Sequence, residues 1–277
     1  NAEHLGATKD NKQIYLVDFE QNSVVMQEIG RLREIAFRKV GEGTGEHKDL
    51  DKYDHYYRHL VLWDEEELEI VGAYRIGEVS KYLQEGADQG IYSSELFRYS
   101  CDMEPYFAKG IELGRSFVQP KYWGKRSLDY LWYGIGAYLN RHPDIQYMFG
   151  PVSLSNSYPQ MAKDMLVHFY QKYYADKEFL AASFTPYRIT AEHRPLLDNI
   201  FSGEDYDEDF RTLKEQLGHL GASVPTLFKQ YSELCEPGGV RFLDFGVDAD
   251  FGYCVDGLVL VDLKKVKEAK RKRYLGE

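Results

Sequence analysis

A chain of 277 residues, 43% of them hydrophobic, can bury a substantial core, as one large domain or a domain with a sizeable insertion. Its net charge of −11 argues against general nucleic-acid binding, and an acidic partner would need a local basic patch to approach it. No run of ~18 apolar residues provides a membrane-spanning helix, no signal peptide is read, and three cysteines without a CxxC point to a reducing cytoplasm. The first residue is asparagine, as expected of a processed product or a fragment of a longer chain.

Residues 12–20 alternate weakly and read as a first strand. Asn22 or Ser23 is placed to cap a helix running through Val40, with Val25, Ile29 and Leu32 on its apolar side. Residues 41–47, GEGTGEH, read as a flexible loop; they follow a helix and lack the Gly-Lys-Ser ending of a P-loop. Residues 60–63 and 68–76 predict a hairpin around an acidic turn at 64–67, and residues 81–101 a helical or irregular excursion. Residues 111–118 alternate until Gln119-Pro120, where proline ends strand pairing. A basic loop follows over 121–127, then apolar residues at Leu131, Trp132, Ile135 and Leu139 mark one helix face. His142-Pro143 stops that helix, and residues 145–154 are apolar and long enough for a buried strand.

Beyond Pro159, residues 161–174 carry Met165, Phe169 and Tyr173 on one helical stripe. Residues 178–190 fit no element clearly. Residues 198–221 begin polar, with an acidic run at 204–209 expected at the surface, and become helical. A helix starts within 225–235, Pro237-Gly238-Gly239 turns the chain, 241–245 form a short strand and 257–263 the last one.

A strand feeding a basic loop at a helix N-terminus suits a phosphate group. The order strand, V-x-P-x-[aromatic]-x-G-x, helix, strand, here Val118-Gln119-Pro120-Lys121-Tyr122-Trp123-Gly124-Lys125-Arg126, resembles the core of the GNAT acyltransferases, in which this loop holds the phosphates of an acyl carrier. The ELGRS start and the LxxLWxGIxAY helix resemble more narrowly the ornithine-lipid (aminolipid) N-acyltransferases and relatives labelled hemolysins, with acyl-homoserine-lactone synthases as more distant cousins. The resemblance runs from about residue 23 to 263. It implies a mixed α/β (α+β) fold with a GNAT-like central mixed sheet flanked by helices. One domain would span 12–263, a core over 12–160 and a helical elaboration with the last strands over 161–263, followed by a basic tail over 264–277.

The implied activity is transfer of a (3-hydroxy)fatty acyl group from acyl-carrier protein to the α-amino group of ornithine or glycine. The co-substrate would be acyl-carrier protein or acyl-CoA, with no permanent cofactor and no metal. The alternatives are acetyl-CoA-dependent N-acetylation of a small amine, and a non-catalytic, hemolysin-like acyl-binding or membrane-associated protein. An arriving ammonium must lose a proton before it attacks a thioester, and a carboxylate serves for that. Glu112 is the candidate, with Arg115 as a substrate or network residue. Period two places them on opposite faces of the strand unless a bulge breaks the parity. The family's oxyanion donor is a backbone N–H near Phe117 or Val118. The lactone synthases' ionic cleft corresponds here to Arg33, Phe37, Asp51, Asp54, Arg75, Glu112 and Arg115, the first five as acceptor-binding residues. The tryptophan expected in the intervening loop is replaced by glycines.

Lys121, Gly124, Lys125 and Arg126 are the donor-binding candidates. Arg126 and Leu128 stand where CoA-using relatives have small residues, which favours a carrier protein arriving on a single phosphate. Ser153, Ser155, Ser157 and Tyr158 remain open as the source of the proton for the departing thiol. His55 and His59 have metal-ligand spacing without the glutamate of HExxH, and Ser116 lies outside a GxSxG elbow. The tail carries seven cations and one acid over 264–273. It is read as a peripheral contact with the inner face of an anionic membrane or as a helix end complementing its own dipole.

Overall fold

A computed structural model describes residues 2–20, 23–83 and 90–276. β1 (Ala2–Ala7) and β2 (Lys12–Val17) form an antiparallel hairpin at one sheet edge. β1 escapes a periodicity reading because only Leu5 of its six residues is buried. α1 (Val24–Lys39) follows, with Ser23 at the N-cap position making no capping hydrogen bond; Asn22 lies outside the described residues. The expected hairpin is β3 (Arg58–Asp64) and β4 (Glu69–Glu78). The excursion, described except for 84–89, holds the short α2 (Val79–Tyr82), a 3₁₀ turn at Tyr92–Glu95 and β5 (Phe97–Tyr99). α3 (Glu104–Ala108) leads into β6 (Gly110–Val118), α4 (Ser127–Arg141) and β7 (Tyr147–Leu154), the expected strand–loop–helix–strand order.

After α5 (Gln160–Tyr174), β8 (Ala181–Ser183) pairs with β5 in a separate ribbon, which explains a stretch that no local pattern assigned. α6 (Arg194–Ile200), α7 (Tyr206–His219) and α8 (Thr226–Ser232) follow. β9 (Val240–Asp248) and β10 (Cys254–Asp262) are both longer than expected, and α9 (Glu268–Tyr274) ends the chain. The basic segment is therefore a docked helix rather than a free tail. A side chain at Gly136 of α4 would sit 1.8 Å from the Tyr274 carbonyl oxygen, so glycine lets α9 lie against α4. Tyr274 packs on Trp132 and Tyr133 there.

The eight-stranded sheet has the order β1-β2-β3-β4-β6-β7-β10-β9, with β6–β7 its one parallel pair among the described strands. Period-two alternation sends Leu60 and Leu62 of β3 to the core under α4 and Val61 to the core under α1. Two departures from regularity open a site between these layers. β6 and β7 pair only over Gly110–Glu112 against Tyr147–Phe149 and then separate. The β4–β6 ladder shifts register between Ala73 and Arg75, where Arg115 adopts φ +47, a left-handed conformation costly for a residue with a Cβ. That bulge breaks the strand parity and brings Glu112 and Arg115 to the same face. Among the described residues, no helix is long and apolar enough to cross a membrane.

Candidate active site

Beneath α1 lies a cluster of buried charge. Arg33 donates to both carboxylate oxygens of Asp54, at 3.1 and 2.9 Å, and to the Asp49 carbonyl oxygen. Arg75 reaches Asp51 at 2.6 Å and Asp54 at 3.3 Å. Arg115 lies 3.2 Å from Asp49 and donates to the Tyr92 hydroxyl at 3.2 Å, its guanidinium between the Tyr92 and Phe251 rings. Asp51 also caps the 3₁₀ turn Lys52–His55 in a reciprocal box with Asp54, which fixes both acids locally. Burial alone would raise the Asp54 carboxyl, but Arg33 and Arg75 outweigh it and hold it well below the usual carboxylate range. His59 is pushed down to about 4, by burial first and then by Arg33, so it is neutral at pH 7. His55 lies elsewhere, against the Phe19 ring.

Glu112 is 1% exposed and fully engaged. Its carboxylate accepts from the Tyr57 hydroxyl and from the backbone N–H groups of Tyr92 at 2.9 Å and Ser93 at 2.8 Å. It thus anchors the turn whose Tyr92 ring covers Arg115.

A cavity of about 90 Å³ occupies the gap where β6 and β7 separate. Arg115 and Phe37 line it; Arg33, Asp51, Asp54, Arg75 and Glu112 do not, being gathered behind it. Its polar walls include residues that the sequence reading missed, Glu42, Tyr74, Tyr92 and Asp256. Asp256 accepts from Ser153 Oγ at 2.7 Å. The Glu42 carboxyl is pushed up to about 8, by burial and then by the charge of Asp256, with Arg115 opposing. Asp256 is pushed up to about 6, chiefly by burial, with Ser153 opposing and Asp248 adding to the rise. Two signals for these acids were present in the sequence. Glu42 stands between two glycines directly after a helix, and Asp256 interrupts a strand that is otherwise apolar up to Val261.

A second opening of about 520 Å³ adjoins the cavity, sharing Ser116 and Leu227 with it. It runs past Phe117, Val118, Trp123, Gly124 and Lys125 to the start of α4, the route expected for a thioester arm. The Trp123 indole donates to the Val118 carbonyl oxygen at 2.7 Å and shapes this wall. Lys121 is held instead by Glu67 and Glu69, at 2.7 and 2.6 Å. Arg126 pairs with Asp129 and lines a different pocket, against the β1–β2 hairpin. Lys125 sits over the Tyr122 ring with no carboxylate within ion-pair distance among the described residues.

The arrangement joins a groove for an extended donor to a small polar cavity able to receive an amine. The family model described as an acetyltransferase (GNAT) domain matches residues 32–133. A glycine N(alpha)-acyltransferase of Phocaeicola vulgatus is 32% identical, over 96% of this chain and 85% of its own. One of Bacteroides thetaiotaomicron is 34% identical, over 96% and 82%. An L-ornithine N(alpha)-acyltransferase of Brucella abortus is 33% identical over 46% of each chain.

Proposed function

Because the chain belongs to the GNAT-type N-acyltransferases, we propose that it moves a fatty acyl group from a carrier thioester to the α-amino group of a small amino acid, glycine ahead of ornithine. The cavity's size carries this reading. An apolar cavity of ~150 Å³ holds one benzene, six heavy atoms, so about 90 Å³ is nearer to glycine, with five, than to ornithine, with nine. The names of the glycine N(alpha)-acyltransferase relatives support the same acceptor.

In this reading the acceptor's carboxylate lies toward Arg115 and its amine toward Glu42 and Asp256. The donor's arm fills the adjoining groove, with its phosphate near Gly124, Lys125 and the first turn of α4. The amine nitrogen attacks the thioester carbonyl, a backbone N–H at Phe117 or Val118 steadies the oxyanion, and the thiol leaves along the groove. Arg33, Asp51, Asp54, Arg75 and Glu112 act as positioning residues that hold Arg115 and the Tyr92 turn. The donor is a carrier protein, met by Lys125, and the product is an amphiphilic N-acyl amino acid. Lys264, Lys267 and Lys270 of the C-terminal segment have no carboxylate partner among the described residues and supply the contact with an anionic membrane.

The test is incubation with acyl-carrier protein or acyl-CoA and a panel of amino acids, followed by mass spectrometry of the lipids. N-acylglycine should dominate. Greater N-acylornithine would overturn the acceptor, and the absence of any N-acyl amino acid from either donor would overturn the activity.

A further inference from the structure

Two glutamates at the end of α1 have opposite surroundings. Glu34 accepts from Arg38 Nε at 2.6 Å, from the Thr44 N–H and hydroxyl at 3.1 and 2.8 Å, and from the Gly45 N–H at 3.0 Å. It fixes the loop. Between these anchored points the chain reverses through Gly41 at φ +80 and Gly43 at φ +105, conformations that disfavour any side chain. Glu42, between them, lines the cavity, and its carboxylate has no hydrogen-bond partner among the described residues. Asp256 comes from β10, where it pairs opposite Ser153 of β7. Tyr74, 2% exposed, lines the same space, with its hydroxyl amid Ser116, Tyr231 and Trp132. An unengaged carboxylate facing a cavity is a polar group left for a ligand.

We propose that Glu42 and Asp256 form a catalytic pair that carries one proton between them, takes a proton from the acceptor's ammonium and supplies one to the departing sulfur. The inference rests on the acyl-transfer reading of this cavity. The nitrogen enters with three protons and leaves as an amide with one. The pair accepts the first proton, freeing the lone pair that attacks the carbonyl carbon, and passes it to solvent. It accepts the second from the tetrahedral intermediate as the C–S bond breaks, and that proton reaches the thiolate. One proton is released and one ends on the thiol, so the exchange of thioester for amide balances without any co-reactant. Two acids that cannot both ionise readily suit this two-way role.

The groups around the pair determine its titration. Arg115 from β6 favours the charged forms, while Asp248 from β9 opposes ionisation of Asp256. Cys254 and Tyr92 feel the charge of Asp256 and Tyr158 that of Glu42, and all three have their own values raised, mainly by burial. With Asp256 at about 6 and Glu42 at about 8, the pair holds a single proton between those limits.

The experiment has two arms. The first follows kcat for N-acylglycine formation against pH. Wild type should give a bell with limbs near those two values, and Glu42→Gln and Asp256→Asn should each lower kcat by about 10²–10⁴ and lose one limb. The second arm follows ¹³C-labelled carboxyl groups by NMR in the free protein, with no turnover required. Glu42 should titrate at lower pH in Asp256→Asn than in wild type. A Glu42 titration unmoved by Asp256→Asn, or variants that keep the wild-type profile, overturns the pair while leaving the activity standing. A wild-type protein that makes no N-acyl amino acid overturns the activity and the catalytic role together.

Discussion

On one side of Arg115 lie Arg33, Arg75, Asp49, Asp51 and Asp54; on the other lie Glu42, Asp248 and Asp256. The first group is matched, three arginines with Arg115 included against three aspartates, in contacts of 2.6 to 3.7 Å. The second is unmatched, since among the described residues Arg115 is the cation that acts on both cavity acids. Burial is comparable, so burial alone does not separate scaffold from chemistry. Charge whose partners are built in holds elements together, and charge left without them is where a ligand completes the set.

The largest expected effect tests the matched side. Asp54→Ala leaves Arg33 and Arg75 buried without their shared partner and should cost about 3–5 kcal/mol of stability, read from denaturant unfolding. A loss below 1 kcal/mol would mean that the cluster is not a scaffold.

Glu112→Gln comes next. The amide turns a donor toward N–H groups that now find an acceptor, so the Tyr92–Ser93 turn should loosen at about 1–3 kcal/mol. Turnover should fall because Tyr92 no longer holds Arg115, while the pH profile keeps both limbs. Loss of a limb in Glu112→Gln would return the base role to Glu112 and erase the contrast.

A third variant tests the unmatched side through stability. The Glu42 carboxyl, ordinarily near 4.5, titrates at about 8 in the folded protein. Between those limits the folded state holds a proton that the unfolded chain has released, so stability falls as pH rises across that window. Glu42→Gln removes this dependence. Its melting temperature should exceed wild type at pH 8, by about 2–4 °C for each kcal/mol, and match it at pH 4. His59 works in the opposite direction: its lowered value makes the folded state lose stability as pH falls from 6.5 toward 4.

The contrast explains what could be read before the structure. The strand–loop–helix–strand order was legible because Pro120 and Pro143 punctuate clear periodicities, and Arg33, Arg75, Asp51 and Asp54 of the cluster were legible only through the resemblance to the lactone synthases. Their separation from the cavity was not, because the side to which Glu112 and Arg115 point depends on one residue's φ. Glu42 and Asp256 are 214 positions apart, on a loop and on the strand next to the β9 edge of the sheet, and no period or spacing relates them. Only the fold brings them to one wall.

The smallest expected effect repeats the comparison at the surface. Lys121 and Lys125 are four residues apart in the donor loop, and composition treats them alike. Lys121 is neutralised by Glu67 and Glu69, whereas Lys125 faces the groove with no carboxylate at ion-pair distance among the described residues. A carrier protein brings an acidic surface, and attraction to an unpaired cation steers it, weakening as salt rises. Lys125→Glu should therefore raise KM for acyl-carrier protein several-fold at low ionic strength, a factor of about 5 being worth ~1 kcal/mol. The change should shrink near 0.5 M salt and be weaker with acyl-CoA. Lys121→Gln should leave KM for either donor within a factor of about 2, since removing one partner of an exposed pair costs little. Equal effects of the two variants would show that pairing does not decide which cations are available, and a better acyl-CoA reaction without salt dependence would replace the carrier protein as donor.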